Sequence, residues 1–165
     1  MSVTVTKNFD LGKINLDVHK ELNLCGEIIK KDHYQRLEKG QGVDGSQMQS
    51  LASATIEQKA ESRDSVISSN ASKILVGTGA MRKLRVKKAT KSNQEIVLWV
   101  GQNKRYGTIS TKGYPGSKVT PAEAGLNHQK GRGVPKREWF GISEKAEKKC
   151  VDLIEMRIEK ELNRA

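Results

Sequence analysis

The chain has 165 residues, 35% hydrophobic and only 4% aromatic side chains, and a formal net charge of +11 at neutral pH. That length fits one domain with a real core, here taken as residues 1–165, and is short for two. A mean hydropathy of −0.64, no apolar run near the ~20 residues of a membrane span and no basic-then-apolar leader argue against a membrane protein and predict a chain that is cytosolic at synthesis.

The positive excess is confined to one stretch. Met1–Ala80 carries 10 Lys/Arg against 10 Asp/Glu and Glu144–Ala165 carries 6 against 6, whereas Met81–Ser143 carries 14 against 3, the whole of the +11. Charge segregated in this way points to an anionic partner, either the phosphates of nucleic acid or an acidic protein surface. The lean hydrophobic content favours mobile arms or burial of apolar surface against neighbouring subunits.

In chain order, Val3 and Val5 alternate with polar residues, predicting a short extended piece over residues 1–9. Leu11, Ile14, Val18, Leu22, Cys25 and Ile29 then recur at helical spacing, predicting a helix capped by Asp10 that runs to about Glu38 and stops at Gly40. The turn-rich GQGVDG that follows matches GxGxxG formally, but a helix precedes it where a dinucleotide fingerprint needs a strand, so the match is accidental. A short helix is predicted near Ser53–Glu61, then a loop. Ile74–Met81 is an apolar run broken by Gly77 and Gly79, read as a tight turn because the Lys-Ser/Thr of a phosphate loop is missing.

Lys83–Ala89 and Glu95–Gly101 read as a hairpin turning over Thr90–Gln94, with Leu84 and Val86 alternating against Arg85 and Lys87, so that one face is basic. Gln102–Gly133 reads as a long irregular, glycine-rich arm holding Gly107, Gly113, Gly116 and Gly125; within it Thr120-Pro121-Ala122-Glu123 has capping-box spacing and predicts one short helix over 121–128. Trp139-Phe140 is a core anchor. Ser143 caps a last helix, 144–163, whose Ala146, Cys150, Ile154, Ile158 and Leu162 share one face. Together these elements predict an α+β fold: a small antiparallel sheet, long N-terminal and C-terminal helices and a long Gly-rich loop.

Catalytic and metal signatures are weak. His19, His33 and His128 are scattered, with no HxxxH, CxxC or HExxH spacing, so no metal or cofactor is expected. An enzyme would need His128 to converge with Glu123 or Glu138 in a closed pocket. Cys25 and Cys150 fall on apolar helix faces and are predicted to be buried free thiols. The basic surface is assigned to Arg82, Lys83, Arg85, Lys87, Lys88, Lys91, Lys104, Arg105 and Lys112. It is a candidate for contacting DNA non-specifically or for docking onto an acidic neighbour; with only Trp99, Tyr106 and Tyr114 interleaved, it is a poor single-strand stacking platform.

Three segments in order resemble a known family. GQGVDGSQMQSLASATIEQK at 40–59, ILVGTGAM at 74–81 and GLNHQKGRGVPKREWFGIS at 125–143 are similar to the glycine turn, the Ile-Leu-x-x-Thr-Gly step and the closing His-Gln-x-Gly segment of phage virion morphogenesis proteins, the tail-completion or head–tail joining proteins of tailed phages, Mu-like ones among them. Met48 departs from the family in standing where an aromatic is common, and the 102–127 loop is unusually elaborate. The resemblance implies a non-enzymatic structural protein of the virion, made in the host cytoplasm and placed at the neck or tail end. It implies a homo-oligomeric ring, commonly of six subunits, around the DNA channel, with other neck, connector or tail proteins as partners and no membrane. His128, Lys130, Arg132, Lys136, Arg137 and Trp139 are assigned to subunit contact. The alternative is a sequence-independent nucleic-acid-binding protein using the 81–143 surface.

Overall fold

A computed structural model describes residues 16–63, 65–75, 83–99, 109–110, 118–119 and 121–164, excluding the side chains of 66, 109–110, 118–119 and 121–125. The described elements are α1 (His19–Glu38), α2 (Ser53–Ala60), α3 (Ser65–Ser68), β1 (Arg85–Lys87), β2 (Val97–Trp99), β3 (Ile109–Ser110), β4 (Lys118–Val119), α4 (Pro121–Lys130) and α5 (Glu144–Leu162). The fold is α+β, as the sequence predicts. Its frame is the packing of α1 against α5, with β1 laid across α1.

Helix α1 starts later than its apolar stripe suggests. Val18 occupies the N-cap position, and residues 16–18 are not helical. Gln94, from the hairpin turn, accepts from the Val18 N–H at 2.8 Å and donates to the Leu16 carbonyl at 3.3 Å. Asp17 accepts from the His19 N–H at 3.2 Å and also bonds the His19 ring. These contacts satisfy backbone groups that a longer helix would have used. Asp10 and the extended piece over 1–9 lie outside the described residues. At its other end α1 stops where the sequence predicts: Gly40 has φ +66°, the Gln41 N–H reaches the Arg36 carbonyl at 2.8 Å and the Gly40 N–H reaches Leu37 at 3.2 Å. This is a Schellman closure, which needs a left-handed residue that glycine adopts without a Cβ clash.

The GQGVDG turn folds back on itself through the Gln41–Gln47 bridge and an Asp44 carboxylate that accepts from the Ser46 N–H and hydroxyl at 3.0 and 2.7 Å. It follows a helix and starts none, so it cannot cradle a dinucleotide. Helix α2 matches its prediction to within a residue. Lys59 of α2 donates to the Asn70 and Lys73 carbonyls at 3.1 and 2.8 Å, tying 65–75 back to this helix.

Strands β1 and β2 pair antiparallel in the register Arg85–Trp99, Val86–Leu98 and Lys87–Val97. The hairpin reaches α1 at Gly26, where a Cβ would stand 2.9 Å from Val86 Cγ1; any larger residue would push the sheet away. Asn23 holds the same approach by exchanging two hydrogen bonds with the Ala89 backbone, 2.8 and 3.1 Å. The 102–133 segment is less irregular than predicted, because β3 and β4 pair as Ile109–Val119 and Ser110–Lys118. Two-residue strands are too short to show an alternation in sequence. Helix α4 ends two residues beyond its prediction, closed by an Arg132 N–H to Asn127 carbonyl bond of 3.0 Å. Ser143 caps α5 as expected, accepting from the Ala146 N–H at 3.2 Å, a contribution of ~1 kcal/mol.

The core has two parts. Leu37, Met48, Leu75 and Trp139 form one, with Ile74 and Phe140 against it; Ile29, Leu84 and Ala146 form the other, with Ile28, Ile96, Leu98, Phe140 and Cys150 against it. Phe140 joins the two. His33, fully buried, lies among the rings of Tyr34, Trp139 and Phe140 at centroid distances of 5.8–6.4 Å. A fully buried large apolar side chain contributes ~1.5–3 kcal/mol, so buried Trp139, with half-buried Phe140 beside it, helps hold the C-terminal half on α1.

Candidate functional site

The basic hairpin has the face the alternation predicts. Lys83, Arg85, Lys87, Lys88 and Lys91 are exposed while Leu84 is buried and Val86 faces α1. Directly paired residues on antiparallel strands share a face, so Arg85 lies beside Trp99 and Lys87 beside Val97 on the outward side. Arg85, Lys87 and Lys88 form no ion pair among the described residues. Lys91 lies near enough to Asp17 to help hold that carboxyl below its ordinary range, behind the larger effect of its hydrogen bonds to His19. Arg82, Lys104, Arg105, Lys112, Tyr106 and Tyr114 lie outside the described residues.

The second group of candidates divides by burial. Lys130, Arg132 and Lys136 are exposed, but Arg137 and Trp139 are buried within the chain, at 4% and 2% exposure. Arg137 clamps three segments: its Nε donates to the Gln49 carbonyl at 3.1 Å, Nη2 to Ser50 at 3.5 Å, and Nη1 to Pro135 at 3.4 Å and His128 Nδ1 at 3.1 Å. A guanidinium can only donate, so His128 Nδ1 accepts and the ring is neutral. Burial first, and then the Arg137 charge, lower the His128 pKa. Gln129 completes the clamp, its Oε1 accepting from the Trp139 and Phe140 N–H groups at 3.1 Å and its Nε2 donating to the Phe140 carbonyl at 3.1 Å.

His128 and Glu138 do not converge. The His128 ring is engaged by Arg137, whereas Glu138 is half-exposed and ion-paired with Lys136; the Glu123 side chain lies outside the described ones. Among the described residues no group of three His, Cys, Asp or Glu could hold a metal ion. A cleft of about 520 Å³ opens beside the glycine turn, but its walls carry mixed Asp, Glu, Lys and Arg. Cys25 and Cys150 are free thiols facing each other's backbone across α1 and α5, with Sγ to carbonyl distances of 3.8 and 3.9 Å. Burial, then Cys25, pushes the Cys150 thiol up to about 12, which suits structural cysteines and not nucleophiles.

One network was missed by sequence reasoning. Arg36, buried to 5% exposure, donates through Nε to Asp32 Oδ2 at 2.8 Å, through Nη2 to the Gly141 carbonyl at 3.2 Å and through Nη1 to Trp139 at 3.4 Å. The same Asp32 oxygen accepts from the Ser143 hydroxyl at 2.9 Å. The α5 cap is thereby fastened to α1. The available signal was the i,i+4 spacing of Asp32 and Arg36 on a predicted helix, which is indistinguishable from an ordinary solvent-facing pair.

The three segments that carry the family resemblance meet in space. Met48 from the first, Leu75 from the second and Trp139 from the third share one core cluster with Leu37, and the Val43 N–H of the glycine turn bonds the Glu138 carbonyl at 2.7 Å. Among the described residues, Met48, Leu75, Arg137 and Trp139 of these segments are therefore internal clamps that shape the fold. On the outer surface Val97, Ile142, Val151 and Met156 stand 38–67% exposed.

An α+β chain whose segments meet in one core cluster among the described residues, with a cationic sheet face and apolar side chains left exposed, has the character of an assembly protein. The chain belongs to the phage virion morphogenesis family, whose model matches residues 11–159. Its role is accordingly structural or in assembly of the phage virion. No curated protein and no solved structure matches the chain. No helix among the described residues is long and apolar enough to cross a membrane.

Proposed function

We propose that this chain is a structural protein of the phage neck or tail end, joining head to tail as a ring, hexameric by family resemblance, around the DNA channel. Membership of the virion morphogenesis family over 11–159 carries the reading. The uncovered apolar side chains on the hairpin and α5 support it, since subunits that finish one another's burial leave such surface on the isolated chain. The reading assigns no chemistry to the chain; its work is to hold neighbouring copies and adjoining rings in register.

The test is a deletion of the gene complemented in trans, with the tagged protein located in purified particles by electron microscopy. Separate heads and tails in the deletion, and density for the tag at the neck or tail end, are the expected results. Particles of normal form lacking the protein, or a tag located elsewhere, would refute the proposal. The unpaired cations Arg85, Lys87 and Lys88 favour one second reading, sequence-independent nucleic-acid binding. That reading requires duplex binding by the purified chain, with affinity falling steeply as salt rises.

A further inference from the structure

The hairpin's outward face and the 152–159 stretch of α5's outward face are complementary, and neither is covered among the described residues. On the hairpin, Arg85 and Lys87 flank the half-exposed Trp99 and the exposed Val97. On α5, Asp152, Glu155 and Glu159 are exposed beside Val151 and Met156, the latter two at 45% and 67% exposure. The hairpin face is cationic and apolar; the exposed face of α5 is anionic and apolar over residues 152–159, with the exposed Lys145, Lys148 and Lys149 confined to the turns before it and Lys160 just after it.

The acidic stretch bears a cost that Lys148 and Lys149, four and three residues before Asp152, can relieve only at its N-terminal end. Glu155 has Asp152 three residues before it and Glu159 four residues after it, spacings at which like charges on a helix repel. Neither Glu155 nor Glu159 has a Lys or Arg three or four residues away in either direction, and none of the three carboxylates forms an ion pair among the described residues. By contrast Glu161, on the flank of the same helix, is paired with both Arg157 and Arg164.

The spacings also agree. Residues two apart on a strand are about 6.6 Å apart along it, and residues four apart on a helix are about 6 Å apart. Arg85 and Lys87 can therefore stand opposite Glu159 and Glu155 while Val97 and Trp99 cover Met156. Among the described residues the pairing does not occur within one chain, because the hairpin and α5 both turn their inner sides to the same cluster, Leu84 with Ala146, and their outward faces diverge.

We propose that the hairpin face of one copy docks on the outward face of α5 in the next copy. The contact joins two different surfaces, so it is head-to-tail and propagates around a ring when the rotation closes. It rests on the proposed ring and goes further in naming the two faces that build it. In this arrangement Arg85 and Lys87 bind a neighbouring subunit and not DNA.

A charge swap tests it. Arg85→Glu/Lys87→Glu and Glu155→Lys/Glu159→Lys are made separately, in one chain, and as a mixture of the two double variants. Assembly is measured by sedimentation of the full chain near physiological salt, with circular dichroism confirming that each variant is folded. The wild type assembles, and each double variant alone loses self-association by about tenfold or more, the effect of opposing like charges across a contact. The four changes together, and the mixture of the two double variants, restore assembly. A wild type that stays monomeric, double variants that assemble like it, or a mixture without rescue would overturn the proposal. So would a hairpin variant that loses duplex DNA binding but keeps the oligomer. Location of the protein in particles is read by a different experiment, so failure of this contact is distinguishable from failure of the neck or tail-end role.

Discussion

At Asp32 the loss of one carboxylate breaks two contacts that fasten α5 to α1. Its Oδ2 receives both Arg36 Nε at 2.8 Å and the Ser143 hydroxyl at 2.9 Å. Asp32→Ala leaves the Arg36 guanidinium buried with only the Trp139 and Gly141 carbonyls, at 3.4 and 3.2 Å, and frees the α5 cap. Breaking a buried ion pair from one side costs ~3–5 kcal/mol; because the Asp32 side chain keeps 16% of its exposure, the lower end, ~3 kcal/mol, is expected. For a domain of this size that corresponds to a melting temperature lower by about 6–12 °C. Thermal unfolding by circular dichroism, with urea titration for the free energy, gives the number. Asp32→Ala/Arg36→Met, which removes the stranded charge as well, should be no less stable than Asp32→Ala alone. A loss below about 1 kcal/mol for Asp32→Ala, or a double variant showing the sum of two independent losses, would refute the claim that the pair works as a buried unit.

Three further outcomes follow from the geometry. Gly26→Ala places a Cβ 2.9 Å from Val86 Cγ1 and should destabilise by ~1–3 kcal/mol, with Val86→Ala in the same chain recovering part of the loss; equal stability of wild type and Gly26→Ala by urea unfolding would contradict the close approach. The His128 pKa is lowered by burial and by Arg137, so its contribution to stability is complete above the ordinary imidazole pKa of about 6.5 and is lost as pH falls below it toward the depressed folded value; His128→Gln should flatten the unfolding free energy across that window. Cys150, with its thiol pushed up to about 12, should react with thiol reagents at pH 8 far more slowly in the folded chain than in urea, and equal rates would place it outside the helix interface.

Much of the frame was readable because it rests on local periodicity. The 144–163 helix and its Ser143 cap, the α1 stop at Gly40, the short helix beginning at Ser53, the basic face of the hairpin and Trp139-Phe140 as a core anchor all follow from spacing, capping and turn chemistry within a few residues. The late start of α1 was not readable, since what ends the helix is Gln94, more than 70 residues away in sequence. Arg137 shows the same limit: beside Lys136 in a charge-rich stretch it looks like surface, and only the fold wraps the carbonyls of residues 49, 50 and 135 around it.

The amino-acid sequence alone determined where charge is concentrated, where the two long helices lie and where they stop, and, through three ordered segments, membership of a virion-building family. Those properties are local or additive, so they survive without knowledge of neighbours in space. Tertiary structure alone decided that Met48, Leu75 and Trp139 of the family's segments meet in one core cluster and that Arg36 and Arg137 are structural cations. It also decided that the cationic sheet face and the acidic 152–159 stretch of α5 are both uncovered among the described residues. Burial and exposure depend on which distant segments pack together, and the apolar pattern of one segment does not specify the segment that covers it.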